Sequence, residues 1–177
     1  MQTVVISGHP HIENSFINRT WIEQINEKYP HIEIHELCKH HTEGVFNINE
    51  ERERLKKADS IVFIYPIYWY ASPWLLQKWM EDVITYDFYY TDRALENKSF
   101  KVAVSLGGVE DYYRLGGLNS YPLDVFLMQM HAFASKCLMH YHPHYAFFAS
   151  HANDAQERMA TQVEEFLSWV VTDNTNG

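Results

Sequence analysis

The chain has 177 residues, 46% of them hydrophobic and 15% aromatic, enough to build one ordered domain with a full core. A formal net charge of −9 excludes a generally basic face, and with it non-specific binding to nucleic acid or to an anionic membrane; an anionic ligand would need a local site. The start, MQTVVISGHP, lacks the leader of a signal peptide, and no later apolar run approaches the roughly 20 residues of a membrane span, so a cytoplasmic protein is expected.

TVVIS at 3 to 7 is a β-branched run ending in Gly8, and FINRTWIEQINEKY at 16 to 29 carries apolar residues at helical spacing until Pro30 stops it. HIEIHEL at 31 to 37 alternates like a half-buried strand, and NEERERLKKADS reads as a short charged helix. SIVFIY at 60 to 65 is continuously apolar, as in a central parallel strand, and PWLLQKWMEDVI at 73 to 84 has a proline placed for a helix start. FKVAVSLGG at 100 to 108 repeats the strand-then-loop pattern. A long helix over 122 to 139, a strand within HYHPHYAFFAS and a final helix near 154 to 171 complete the chain, with TDNTNG as a loose tail.

Five strands alternating with five helices predict a doubly wound α/β fold, a five-stranded parallel sheet with helices on both faces, in a single domain over residues 1 to 177. Such sheets bind ligands beyond the carboxyl ends of their strands, where strand order reverses. The loops to inspect are therefore SGHPHIENS, YPIYWYASP and SLGGVEDYYRLGG.

The first loop lacks the lysine of a GxxxxGKS motif and the spacing of GxGxxG. His9, Asn14, Ser15 and Asn18 instead bring polar groups to a strand-to-helix junction, where backbone amides and the helix dipole favour an anion. Asn14 or Ser15 could equally be an ordinary helix cap. In the second loop, Ile67, Tyr68, Trp69 and Tyr70 stand beyond a buried strand and need a cover, either a flat ligand, a second subunit or the edge of an aromatic core. Gly107 and Gly108 at the third strand end suit close backbone approach or a positive φ, although such pairs also occur in plain turns.

Cys38 and Cys137 stand apart with no CxxC spacing and read as free thiols. HYHPH would place His140, His142 and His144 on one face of a strand, but no matching cysteine or carboxylate spacing accompanies them or His40 and His41, and no metal site is expected. GxSxG and HExxH are absent from the sequence.

Together, GHPHIENSFIN, PIYWYASPWLLQKWMEDV, and SLGG followed by YYRLGGLNSYP resemble the NAD(P)H:quinone reductase family of flavodoxin-like flavoproteins, which includes ancillary proteins of glutathione-gated potassium efflux systems. The resemblance runs from about residue 3 to the final helix. It implies a flavin phosphate at the first loop, with His9, Ser15, Phe16, Ile17 and Asn18 matching its pattern. The isoalloxazine would lie along Ile67, Tyr68, Trp69 and Tyr70, and the flavin edge against the backbone of Ser105, Leu106, Gly107 and Gly108. It further implies FMN (with FAD as the alternative), NAD(P)H as hydride donor, a quinone-like acceptor, a homodimer, and either catalysis or regulation of a potassium efflux transporter. Tyr113 matches the family's catalytic tyrosine, whereas Asn119 stands where its histidine would be. YDFYYTDRALENK departs from the family's glycine-bearing loop, and its Phe88, Tyr89 and Tyr90 would narrow the pocket.

Overall fold

A computed structural model describes residues 1–41 and 43–172; all of TDNTNG except Thr172 lies outside the described residues. The chain order is β1 Thr3–Ser7, α1 Phe16–Lys28, β2 Glu33–Glu36, α2 Leu37–His40, α3 Ile48–Lys57, β3 Ser60–Pro66, α4 Trp74–Val83, β4 Ser99–Ser105, α5 Leu123–Phe126, α6 Met128–Lys136, β5 His140–Tyr141, β6 Tyr145–Phe147 and α7 Ala155–Val171. All strand pairs are parallel, in the order β2-β1-β3-β4-β5, with β6 also on β4. The expected doubly wound sheet is present. Its fifth strand is split in two because Pro143, which has no amide hydrogen to donate, interrupts the run between His142 and His144.

Side-chain alternation divides the core between the two faces of the sheet. Val4, Ile6, Ile61, Phe63, Val102 and Val104 pack with Leu76, Trp79, Leu127 and Met130. Val5, Val62, Ile64 and Ala103 point the other way, onto Ile17, Trp21 and Ile25 of α1 and Phe166 and Val170 of α7. Trp21 stacks on Phe166 with ring centroids 4.7 Å apart, and burial of each such ring contributes roughly 2–3 kcal/mol. Close packing explains Gly8 at the end of β1: a Cβ there would sit 2.8 Å from Leu76 Cβ, so only glycine lets α4 approach.

Lys101, in the middle of β4, is 1% exposed. Its ammonium donates to the carbonyls of Trp169 (3.1 Å), Val170 (3.0 Å) and Thr172 (2.7 Å), satisfying acceptors that the end of α7 leaves open and matching the negative pole of that helix.

The helix expected over 122 to 139 is broken. Leu127 adopts φ −95 and ψ 1 between α5 and α6, and the amide of Met130 bonds back only three residues, to Leu127 (2.9 Å). This tightening keeps Leu123, Leu127 and Met130 all buried. Around 86 to 98, Asp87–Thr91 forms a single π-helical turn with Phe88 fully buried beneath the Arg52 guanidinium, 5.0 Å from its ring. Both cysteines are free thiols, and burial raises the Cys137 pKa to about 12. Among the described residues no helix is long and apolar enough to cross a membrane.

Candidate functional site

Strand order reverses at β1, from which the chain turns first to β2 and then across to β3 and β4. At the carboxyl ends of β1, β3 and β4 lies a cavity of about 440 Å³, within the range of small-molecule sites. Its lining combines His9, His11, Asn14, Ser15, Phe16 and Ile17 with Pro66, Ile67, Tyr68, Ser105, Gly107, Ser150 and His151.

The first loop ends in a capped helix. Ser15 Oγ accepts from the amide of Asn18 (3.1 Å), so Ser15 is the N-cap of α1, and the amides of Phe16 and Ile17 remain at the positive pole of the helix. The Asn18 side chain is fully buried behind the cavity and donates to Ser105 Oγ (2.7 Å), which ties the first loop to β4. Its Oδ1 has no hydrogen-bond partner. His9 Nδ1 accepts from the His11 amide (3.0 Å), which leaves the ring proton on Nε2. Burial, reinforced by His11 and opposed by Glu13, lowers the His9 pKa to about 4, so the ring is neutral at physiological pH. No lysine or arginine lines the cavity among the described residues. Anion affinity there would come from amides, a hydroxyl and the neutral His9 imidazole N–H.

In the second loop, Ile67 donates its amide to Ser105 O (3.0 Å), and Tyr68 and Ala71 exchange both backbone hydrogen bonds (3.0 and 3.1 Å). The two residues between them, Trp69 and Tyr70, have φ of 47 and 64, the double left-handed geometry of a type I′ turn. Such a turn favours Asn-Gly; here two aromatic residues take it with backbone strain. Tyr68 faces the cavity edge-on to His9, ring centroids 6.2 Å apart. Trp69 is 93% exposed and lies outside the cavity lining. Tyr70 stacks on Phe126 and donates its hydroxyl to Asn119 Oδ1 (3.1 Å).

In the third loop Gly107 and Gly108 have different roles. Neither has positive φ. A Cβ on Gly107 would meet nothing nearer than His151, at 3.7 Å, whereas one on Gly108 would press to 3.1 Å on the rings of Tyr112 and Tyr113. Gly107 thus leaves open space on the cavity side, and Gly108 lets the tyrosines pack. The Leu106 amide is spent on Phe147 O (2.9 Å) and its side chain is buried, so its N–H is not available to a ligand. Tyr113 lies outside the cavity lining, packed on Phe126 and Phe148, with its hydroxyl bonded to Asn119 and to the Gly108 backbone. Burial, and then Tyr70, raise its pKa, so it is protonated at neutral pH.

Of the thirteen residues expected around a cofactor, the structure brings His9, Ser15, Phe16, Ile17, Ile67, Tyr68, Ser105 and Gly107 to one cavity. Asn18 and Leu106 stand behind it, and Trp69, Tyr70 and Gly108 beside it. Tyr89 and Tyr90 are absent from the lining and Phe88 is in the core, so none of the three narrows the pocket. Sequence reasoning missed Ser150 and His151. They follow β6, and their loop is held by Ser150 N to Leu106 O (2.9 Å) and by Arg158 reaching Phe148 O (3.0 Å) and Ala149 O (2.9 Å). The carboxyl end of the fifth strand was the available signal.

A family profile described as a flavodoxin-like fold, Flavodoxin_2, matches residues 1–170. The chain belongs to this family. It is 32% identical over 171 residues to general stress protein 14 of Bacillus subtilis, covering 94% of this chain and 97% of that one. It is 27% identical over 179 residues to the glutathione-regulated potassium-efflux system ancillary protein KefG of Yersinia pestis, covering 99% and 97% of the two chains. Among solved structures, general stress protein 14 of Treponema denticola in complex with FMN superposes with a TM-score of 0.90 at 27% identity, over 96% of this chain and 98% of that chain. An NADPH-quinone reductase from P. pentosaceus gives 0.85 at 27% identity, over 98% and 100%. The family resemblance visible in the sequence is thereby borne out.

Proposed function

We propose that the chain is an FMN-dependent NAD(P)H oxidoreductase that reduces quinones or similarly flat acceptors. The observation that carries this reading is the cavity at the strand-order reversal, where a capped helix N-terminus and a neutral donor at His9 adjoin the open space over Gly107. These residues fit the cofactor. A phosphate would be held by the Phe16 and Ile17 amides, the Ser15 hydroxyl and His9 Nε2–H, and a planar ring would lie between Ile67, Tyr68 and Gly107. The relatives named for NADPH-quinone reduction and bound to FMN support it.

FMN bound there would supply the hydride-transfer chemistry that links NAD(P)H to the acceptor in two half-reactions. The protein's part is binding and orientation. Neutral donors hold the phosphate without an ion pair, Tyr68 and Ile67 exclude water from one side, and Tyr113, kept protonated by burial, offers a hydrogen bond to negative charge at the edge of the site through the cluster it shares with Asn119 and Tyr70. The site is completed by a second copy of the chain. Trp69, Trp74, Leu115, Leu118 and Met128 are each more than half exposed, apolar side chains that a second chain would cover.

Steady-state rates with NAD(P)H and a benzoquinone both varied should give parallel double-reciprocal lines. Protein reconstituted with FMN that shows no NAD(P)H-dependent quinone reduction would rule the reading out. The KefG relative supports a second role, as a cytoplasmic regulatory subunit docking on a potassium efflux transporter. Transporter activation that persists in a Tyr113→Phe, Trp69→Ala variant whose quinone reduction is lost would separate the two.

A further inference from the structure

Away from the cavity, the loop between α2 and α3 folds back over β2 and brings together His35, His41 and Glu51, with ligand-type atoms all within 4.8 Å of one another. We propose that these three side chains form a structural site for a divalent transition metal ion of the zinc class. None of them lines the flavin cavity.

The carboxylate is oriented as a ligand would be. Glu51 is 2% exposed, and its Oε2 is held by Trp79 Nε1 (3.0 Å) and Arg54 Nη1 (2.9 Å). Arg54 also pairs with Glu33, so its charge is balanced from outside the cluster. Oε1 is left facing two imidazoles, with His35 Nε2 at 3.0 Å and His41 Nε2 at 3.1 Å.

The imidazoles supply the decisive detail. His41 Nδ1 lies 2.9 Å from Val45 O, and a carbonyl can only accept, so Nδ1 carries the proton. His41 Nε2 faces Glu51 Oε1 at 3.1 Å, and with the proton on Nδ1 a cation between the two would take one bond from each. An Nδ1–H anchored on a backbone carbonyl is also the contact that fixes the tautomer of a metal-bound histidine. His35 Nε2, 5% exposed as a residue, approaches the same carboxylate oxygen to 3.0 Å, the second ring nitrogen turned toward it.

Two nitrogens and one carboxylate oxygen are a familiar zinc donor set, with water in the fourth position. Two ligands of a tetrahedral zinc ion stand about 3.3 Å apart, so the two nitrogen–oxygen separations need open by only a few tenths of an ångström, while the two nitrogens, within 4.8 Å of each other, would be drawn together by the ion. His41, at 13% side-chain exposure the most accessible of the three, marks the entry side. Binding would fasten His41 and α3 to the edge strand, and through Trp79 to α4, the helix that follows the aromatic turn.

Tag-free protein stripped with a chelator should bind ZnCl2 at one ion per chain by titration calorimetry and ignore MgCl2. CoCl2 should give the visible absorption of tetrahedral cobalt. His35→Gln and His41→Gln, which keep a polar contact to Glu51, should each weaken zinc binding at least about tenfold with an unchanged circular dichroism spectrum. Flavin content of the same samples is read separately. Absence of zinc binding would overturn the proposal, as would an affinity that survives both substitutions. A His41 found doubly protonated at neutral pH and unmoved by zinc would overturn it in favour of a simple ion pair with Glu51.

Discussion

The aromatic turn stores strain that can be released and measured. Trp69 holds φ 47 while its side chain is 93% exposed, so the isolated chain gains almost no burial in return for a left-handed backbone. That conformation costs a non-glycine residue about 1–2 kcal/mol, and asparagine, favoured at this position of a type I′ turn, avoids much of it. Trp69→Asn is therefore expected to stabilise the flavin-free protein by about 1 kcal/mol, raising its melting temperature by roughly 2–4 °C for a chain of this size. If the indole is kept for a flat ligand or for a second subunit, the same change removes a ring contact of about 0.5–1.5 kcal/mol. Flavin or dimer affinity should then fall between about twofold and tenfold. Calorimetry of the flavin-free variant, paired with fluorescence titration of FMN and a dimer dissociation assay, reads both effects. A variant no more stable than the parent would refute the strain argument, and one that is more stable with both affinities intact would refute the role of the ring.

Gly107→Ala should leave stability within about 0.5 kcal/mol, because its methyl meets only His151 at 3.7 Å, yet weaken FMN at least about tenfold by filling the space beside the ring; equilibrium titration checks this. Gly8→Ala should instead cost about 1–3 kcal/mol in denaturant unfolding, since the new carbon meets Leu76 Cβ at 2.8 Å and strand and helix must part. Lys101→Met should also destabilise by about 1–3 kcal/mol, as buried carbonyls at the end of α7 lose their donor. For His9, whose pKa burial lowers to about 4, the unfolded chain takes up a proton below pH 6.5 that the folded chain refuses. Its contribution to stability is complete above pH 6.5 and is lost as pH falls toward 4; NMR of the ring should show no titration above about pH 5, and a midpoint near 6.5 would contradict the buried, neutral assignment.

The sheet was legible because SIVFIY is a continuous apolar run that needs cover on both faces and FKVAVSLGG repeats the strand-then-loop pattern of the first strand. The first loop was legible because polar groups at a strand-to-helix junction have few places to go, and Ser15 proved to be a cap that leaves two amides free beside it. The break at Leu127 was hidden, since its spacing from Leu123 and Met130 satisfies an unbroken helix equally well. Lys101 reads as a solvated residue until α7, 68 residues away, supplies the carbonyls it caps. Likewise no local spacing joins His35, His41 and Glu51, because a strand, a loop and a helix contribute one each. Ser150 and His151 carried no motif, and only the position of their loop beside Leu106 and Gly108 brings them to the cavity.

The central claim is that the cavity at the ends of β1, β3 and β4 holds FMN. Mass spectrometry of the cofactor released from purified protein, or taken up when flavin-free protein is offered FMN and FAD together, tests this most directly. The account predicts FMN at about one per chain, held less tightly on Gly107→Ala. FAD in its place, or a protein that takes up neither flavin, would contradict it.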